Sequence, residues 1–355
     1  MKEVIINSPS LDPTQNVSGI SAVVQFIISQ NKGVKYIHFE IGRKDREEGG
    51  FERLLSIFRS IKEWKHLLKN HPDAMVHFNF ALIKASIIRD YLYLHYVRKH
   101  KLVVHLHGGN YLFSDDIPFY ISLLLKCLFR RAVPFIVLSE KEKERIENKY
   151  HAKTVFSLPN CVDLTEARAF DRNISNNDVL TLGYIGRIAE PKGMKELLDA
   201  CIALKKDKIP FRLKIAGSER NGDVLLSQFQ TLLDNCFEYA GIVSGETKTS
   251  FLKEIDVFVL PSYFEGLPMS LLETMSFGSV PVITDVGSIG SVVHDEENGL
   301  FIRMKNSNDI VDRIKRLTSD RSLFAKLSKN ARNTIFSSFD PQKYISQLEH
   351  IYHYN

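Results

Sequence analysis

Short apolar runs bounded by turn residues alternate along the chain with longer stretches in which apolar positions recur every three or four residues. The short runs read as buried strands and the longer stretches as helices that cover them. Strands are expected at Glu3–Ile6, Ala74–Phe80, Leu102–His107 and Phe135–Leu138 in the first half. The second half offers Leu180–Ile185, Phe211–Ala216, Val257–Leu260 and Val280–Thr284. This alternation predicts an α/β architecture of parallel sheets with helices packed on them. The clearest helix follows Pro191, where Met194, Leu197, Leu198, Cys201 and Ile202 form one stripe. Lys205, Lys206 and Lys208 follow at the negative end of its dipole, and Pro210 stops it. Near the end, Pro341 to Tyr354 reads as an amphipathic helix with Tyr344, Leu348, Ile351 and Tyr352 on one face.

With 355 residues the chain exceeds the roughly 250–300 that one core serves, so two domains are expected. The polar, asparagine-rich stretch Ala167–Asp178 is the linker candidate. It divides the chain into residues 1–172 and 173–338, with 339–355 as a terminal helix. Hydrophobic residues make up 44% and charged residues 25%, which excludes disordered and collagen-like classes. The net charge of +5 is unevenly spread: residues 1–153 carry 24 Lys and Arg against 16 Asp and Glu, the remainder 23 against 26. A basic first half suits an anionic partner or membrane surface, and equally a plain solvated surface. No compact tract interleaves basic and aromatic residues, so nucleic acid is not expected as a partner. The four cysteines are widely spaced without a C-x-x-C pair, which disfavours a zinc site or disulfide framework and fits a reducing, cytoplasmic setting. The opening MKEVIINSPS reads as a first strand, not a signal peptide. Ile117–Phe129, interrupted by Lys126, is too short to span a bilayer, which takes about 18 or more apolar residues.

Four short stretches carry candidate chemistry. In LGYIGRIAEPKGMKELLDA a strand ends at Ile185 and Gly186, and Arg187 and Lys192 flank a loop that opens a helix. Ligands of open parallel sheets bind at the carboxyl ends of strands, so two cations beside a helix N-terminus suit a diphosphate. The glycine spacing is not G-x-G-x-x-G, which disfavours a nicotinamide dinucleotide. In PSYFEGLPMSLLETMSFGSVPVI, Gly266-Leu267-Pro268 starts a helix, with Glu265 just before it and Glu273 about a turn and a half inside. Carboxylates there suit paired sugar hydroxyls, and also the ordinary preference of acids for helix starts. In VVHLHGGN, Val103, His105 and His107 share one strand face. His105 fits a satisfied core position, and His107, followed by Gly108 and Gly109, lies where a ligand can approach. SLPNCVDL reads as a strand stopped by Pro159 and a turn over Asn160–Asp163.

Together and in this order, these pieces resemble the family-4 retaining glycosyltransferases of the GT-B fold. The two glutamates of that family's FEGLPxxLLEAMAxGxPVI stretch correspond to Glu265 and Glu273, and its GR-x4-KG loop to Gly186, Arg187, Lys192 and Gly193. Its PNGVD reads PNCVD here, with Cys161 for glycine, and its NG-L turn matches Asn298, Gly299 and Leu300. Departures are Ser18-Gly19 for the usual glycine pair, and Ser288 and Ser291 in place of a glycine and an acid. The resemblance implies two Rossmann-like domains facing each other across a cleft, with the C-terminal helix crossing back to the first. It implies a nucleotide-diphosphate sugar donor held by Gly19, Gly186, Arg187, Lys192, Glu265, Gly266, Leu267 and Glu273, with His107 near the reacting sugar. His107, Glu265, Arg187 and Lys192 are the catalytic candidates. No D-x-D occurs, so no metal or other cofactor is expected. The implied acceptor is a glycan or lipid-linked sugar of bacterial surface polysaccharide synthesis, handled at the inner face of the cell membrane with weak attachment to anionic lipid. A nucleotide-sugar epimerase and a non-catalytic partner subunit are the alternative readings.

Overall fold

The computed structural model describes residues 2–42, 51–108, 110–114, 116–172, 179–219 and 224–354. They form two units, Met1–Asn160 with Gln342–Asn355, and Cys161–Pro341.

The first unit is built on β1 (Lys2–Ser8), β2 (Val34–Glu40), β3 (Met75–Phe80), β4 (Leu102–Leu106), β5 (Phe135–Val137) and β6 (Val155–Ser157). They lie in the order β2-β1-β3-β4-β5-β6, and every pair is parallel. All residues of β3 and β4 are buried, as expected where helices cover both faces. Trp64 anchors the helix Phe51–Asn70 in this core and donates its indole N–H to the Tyr93 carbonyl at 3.1 Å. The chain leaves β1 toward β2 and returns past it to β3, so the order reverses between β1 and β3. The helix Pro341–His353 closes this unit, with Tyr344, Leu348, Ile351 and Tyr352 buried. Tyr344 meets the Phe26 ring edge-on at 5.4 Å, and Lys2 Nζ donates to the Tyr352 carbonyl at 2.7 Å.

The second unit contains β7 (Leu180–Ile185), β8 (Phe211–Ala216), β9 (Phe237–Tyr239), β10 (Val257–Leu260), β11 (Val280–Thr284) and β12 (Leu300–Ile302). Their order is β12-β11-β10-β7-β8-β9, again all parallel. This is the doubly wound Rossmann order, which reverses between β7 and β10. Ligands of such sheets bind at that reversal, beyond the carboxyl ends of the strands.

Three expectations need adjustment. The units part at Asn160–Cys161, earlier than the expected 172–173, because the intervening residues pack into the second unit. Arg172 donates to the carbonyls of Phe277 and Ile255 at 2.7 Å each and pairs with Asp256 at 3.1 Å. Ala167 and Phe170 pack with Phe277, and Cys161 donates its S–H to the Phe339 carbonyl at 3.2 Å. Burial pushes that thiol up to about 12, so Cys161 is a structural residue. Residues 173–178 of the linker lie outside the described residues. The return to the first unit starts at Gln342 instead of 339, since Phe339 is buried in the second unit. The helix after Pro191 spans Met194–Lys206, leaving Lys208 beyond it in a left-handed turn and Ile202 exposed at the edge of the stripe.

Candidate active site

At the carboxyl ends of β7 and β10 the second unit gathers two segments. After β7, Gly186 and Arg187 lead into a single helical turn, Glu190–Lys192. After β10 comes Pro261–Pro268, then the helix Met269–Ser276. Gly193 lets the two segments touch. Its φ is +71°, and a Cβ there would lie 2.1 Å from the Pro261 carbonyl oxygen, so no larger residue fits. Tyr263 N–H donates to the Pro191 carbonyl at 3.0 Å and completes the junction.

That junction delivers Lys192 Nζ to Glu265 Oε1 at 2.7 Å, and Ser262 Oγ donates to the same oxygen at 2.7 Å. Glu265 is 9% exposed, and a carboxylate so placed requires such partners. Gly287, at φ +62°, brings the segment after β11 against the Glu265 loop, where a Cβ would lie 2.1 Å from the Glu265 carbonyl oxygen. Ser288 N–H donates to the Gly266 carbonyl at 3.0 Å, so the loop is held from both sides. Leu267 is buried and pins its far end. Arg187 is exposed at the mouth of β7. Its carbonyl accepts from the Tyr184 hydroxyl at 2.6 Å, and burial keeps that hydroxyl protonated by pushing its pKa well above the usual value. Glu273 lies on the helix Met269–Ser276 and pairs with Lys248 Nζ at 2.6 Å.

Lys192 and Glu265 are therefore brought together, whereas Glu273 has a lysine of its own. Ser262 and Lys248 are absent from the sequence expectations. Ser262 lies three positions before Glu265, a signal within reach, but Lys248 comes from a distant helix that no local pattern connects to Glu273. Among the described residues no group of three or more His, Cys, Asp or Glu side chains is placed to hold a metal ion.

In the first unit, Gly19 opens the helix Gly19–Gln30. Beyond its chain neighbours and its own helix's backbone, nothing lies within 4 Å of where its Cβ would be, so packing does not demand glycine there. His107 follows β4 and donates its backbone N–H to the Phe80 carbonyl at 3.0 Å. Its ring packs 4.2 Å from that of His105, and its Nε2 lies 2.6 Å from Asn79 Oδ1. His105 is fully buried and hydrogen-bonds His77 at 3.2 Å, and His77 meets the Tyr352 hydroxyl at 2.6 Å. His107 is half-buried, and burial followed by the nearby His77 pushes its pKa down to about 3. Gly109 lies outside the described residues.

Residues 166–334 match the family described as Glycosyl transferases group 1. A Campylobacter jejuni N,N'-diacetylbacillosaminyl-diphospho-undecaprenol alpha-1,3-N-acetylgalactosaminyltransferase is 30% identical over 230 residues, covering 61% of this chain and 60% of the relative. A Staphylococcus aureus capsular polysaccharide biosynthesis glycosyltransferase, CapM, is 27% identical over 249 residues, 66% and 65% of the two chains. Among solved structures, sucrose-phosphate synthase from Thermosynechococcus elongatus superposes with a TM-score of 0.77 at 18% identity, over 99% and 98% of the chains. Anabaena HepE in complex with UDP-glucose gives 0.74 at 14% identity, over the full length of both. The match thus spans less than two thirds of either sequence relative's length. These likenesses agree with the strand orders above: residues 166–334 match the glycosyl transferases of group 1, and the chain has the GT-B fold.

Proposed function

We propose that the protein transfers a sugar, with retention of configuration, from a nucleotide-diphosphate sugar to a glycan or lipid-linked acceptor in bacterial surface polysaccharide synthesis. The observation that carries this reading is the Lys192–Glu265–Ser262 group at the strand-order reversal of the second unit. Sugar hydroxyls bind Glu265, the ribose hydroxyls bind Glu273, and the diphosphate meets Arg187, Lys192 and the amino end of the helix Met194–Lys206. The C1–O bond to the diphosphate breaks as the acceptor oxygen bonds C1 on the same face, and the acceptor's proton passes to the leaving phosphate oxygen. Arg187 and Lys192 stabilise the charge that develops on that phosphate, so protein cations serve where other transferases use a metal. His107 and Gly19 are further candidate substrate residues, on the first unit. The relatives' names, which include an undecaprenol-linked acceptor and capsule synthesis, support the acceptor class.

The test is proton NMR of a panel of nucleotide sugars in excess EDTA, following the anomer released and the diphosphate formed. At least one donor should be consumed to give the retained anomer, and Glu265→Gln should lower the rate more than about tenfold, or roughly 1.4 kcal/mol. Inversion, dependence on added Mg²⁺ or Mn²⁺, or a Glu265→Gln rate within twofold of wild type each contradict a stated part of the reading.

The acceptor surface is proposed on the first unit. Ile88, Leu92 and Tyr96 are exposed at four-residue spacing on the helix Lys84–Tyr96. Phe119, Tyr120 and Leu123 are exposed on the helix Phe119–Phe129, which packs beside it. Lys84, Lys126 and Arg130 are exposed on the same two helices or at their ends. Apolar side chains with a basic rim suit shallow seating on anionic lipid. No helix among the described residues is long and apolar enough to cross a membrane. Binding to phosphatidylglycerol-containing vesicles should fall as salt rises from 0.1 to 1 M, where the screening length drops from about 10 to about 3 Å. Reversing Lys126 and Arg130 should weaken it. Arg131 is a poorer choice, since it donates to the Leu94 carbonyl at 3.2 Å and holds the two helices together. Equal binding to neutral vesicles contradicts this account.

A further inference from the structure

The strand order of the first unit reverses between β1 and β3, and two asparagines occupy the carboxyl ends of those strands. The parallel register between them ends at Ile6 and His77. Beyond it the side chains of Asn7 and Asn79 continue the pairing. Asn7 Oδ1 accepts from the Asn79 backbone N–H at 2.8 Å, and Asn7 Nδ2 donates to the Asn79 carbonyl at 3.1 Å. Asn79 Nδ2 donates to the Asn7 carbonyl at 2.7 Å. Both residues are buried.

This network decides which way round the Asn79 amide lies. Reversing it would set its oxygen against the Asn7 carbonyl and leave a buried N–H₂ facing the imidazole, so the oxygen points to His107. An amide oxygen only accepts, so His107 Nε2, 2.6 Å away, carries a proton. A second proton, on Nδ1, would put a cation against the covered rings of His105 and His77, which burial holds neutral. No described residue hydrogen-bonds His107 Nδ1.

We propose that the Asn7–Asn79 pair is a positioning device that fixes His107 in its Nε2–H tautomer, so that Nδ1 meets a ligand only as an acceptor and receives a hydrogen bond from a sugar hydroxyl. Asn79 sets the proton on the ring, and Asn7 holds Asn79. A lone pair at Nδ1 repels phosphate oxygens, so His107 serves sugar recognition and does not protonate the leaving group. The ligand half of the proposal rests on the reading of His107 as a substrate residue; the tautomer half does not.

The test is long-range ¹H–¹⁵N NMR of the ligand-free full chain labelled on histidine, with His107 assigned by its loss in His107→Phe. Wild type should show the Nε2–H signature for His107, and an Nδ1–H signature overturns the proposal without recourse to any other variant. In Asn79→Leu the Nε2 proton loses its acceptor, so the population should move toward Nδ1–H; an unchanged Nε2–H spectrum shows that Asn79 does not fix the ring. Asn79→Asp keeps an oxygen opposite Nε2 but adds charge, so both nitrogens should carry protons at neutral pH, a signature that a merely structural role leaves unmoved. Donor turnover separates the two halves. If His107→Phe turns over nucleotide sugar like wild type, the sugar-hydroxyl assignment falls, whatever the spectra show of the tautomer.

Discussion

Three histidine rings lie in contact along one face of β3 and β4, and their environment gives the first unit an acid sensitivity. Burial drives His77 down to about 3, and burial with the neighbouring His107 and His77 drives His105 well below the usual value. In the unfolded chain each titrates near 6.5. Between about pH 3 and 6.5 the unfolded chain therefore binds more protons, so stability is full above pH 6.5 and is lost as pH falls through that window. Each fully buried ring contributes a slope of up to about 1.4 kcal/mol per pH unit. Melting curves of wild type and His105→Phe between pH 7 and 5 should show a shallower decline in the variant; parallel declines contradict the argument. At this scale the sequence was partly legible. Period-2 alternation puts His105 and His107 on one face, where their rings pack together. Asn7 and Asn79 were not legible, because their meaning lies in a partner 72 positions away. Ion pairs such as Lys248–Glu273 hide for the same reason.

Strands show where pattern reading stops. β7, β8, β10 and β11 fall where the apolar runs put them, and β1, β3, β4 and β5 agree to within a few residues. The strands that escaped, β2, β9 and β12, are sheet edges, and the fourth edge, β6, shows only as a run stopped by Pro159. A central strand is buried on both faces and reads as an unbroken apolar run. An edge strand is half exposed, and β2 (VKYIHFE) has no fully buried residue, so its pattern resembles that of a loop. The terminal helix was legible because its buried residues keep helical spacing: Tyr344, Leu348, Ile351 and Tyr352 all face the first unit's core. Its removal uncovers that face and deletes the hydroxyl that meets His77. Truncation after Asp340 should therefore increase binding of an apolar dye and lower the melting temperature of the first unit. Nucleoside-diphosphate affinity, proposed to reside in the second unit, should stay within about threefold. Unchanged melting and dye binding mean that the helix is dispensable.

For the molecule as a whole, the charge imbalance and the two sheets divide the proposed labour. The basic half of the sequence forms the unit with the exposed apolar helices, and the half with a slight acidic excess contains the region that matches the glycosyl transferases of group 1. The order of the β7–β12 sheet explains why Arg187, Lys192 and Glu265, scattered over some 80 positions, converge: each follows one of the two strands that flank the reversal. The central claim is that this convergence binds the donor through protein cations. Calorimetric titration of UDP, GDP and ADP into the full chain in excess EDTA tests it most directly, with Arg187→Ala/Lys192→Ala titrated alongside. The account predicts that at least one diphosphate binds wild type without metal and binds the double variant at least about tenfold more weakly, a loss of about 1.4 kcal/mol. No binding in EDTA, or equal binding by wild type and variant, would contradict it.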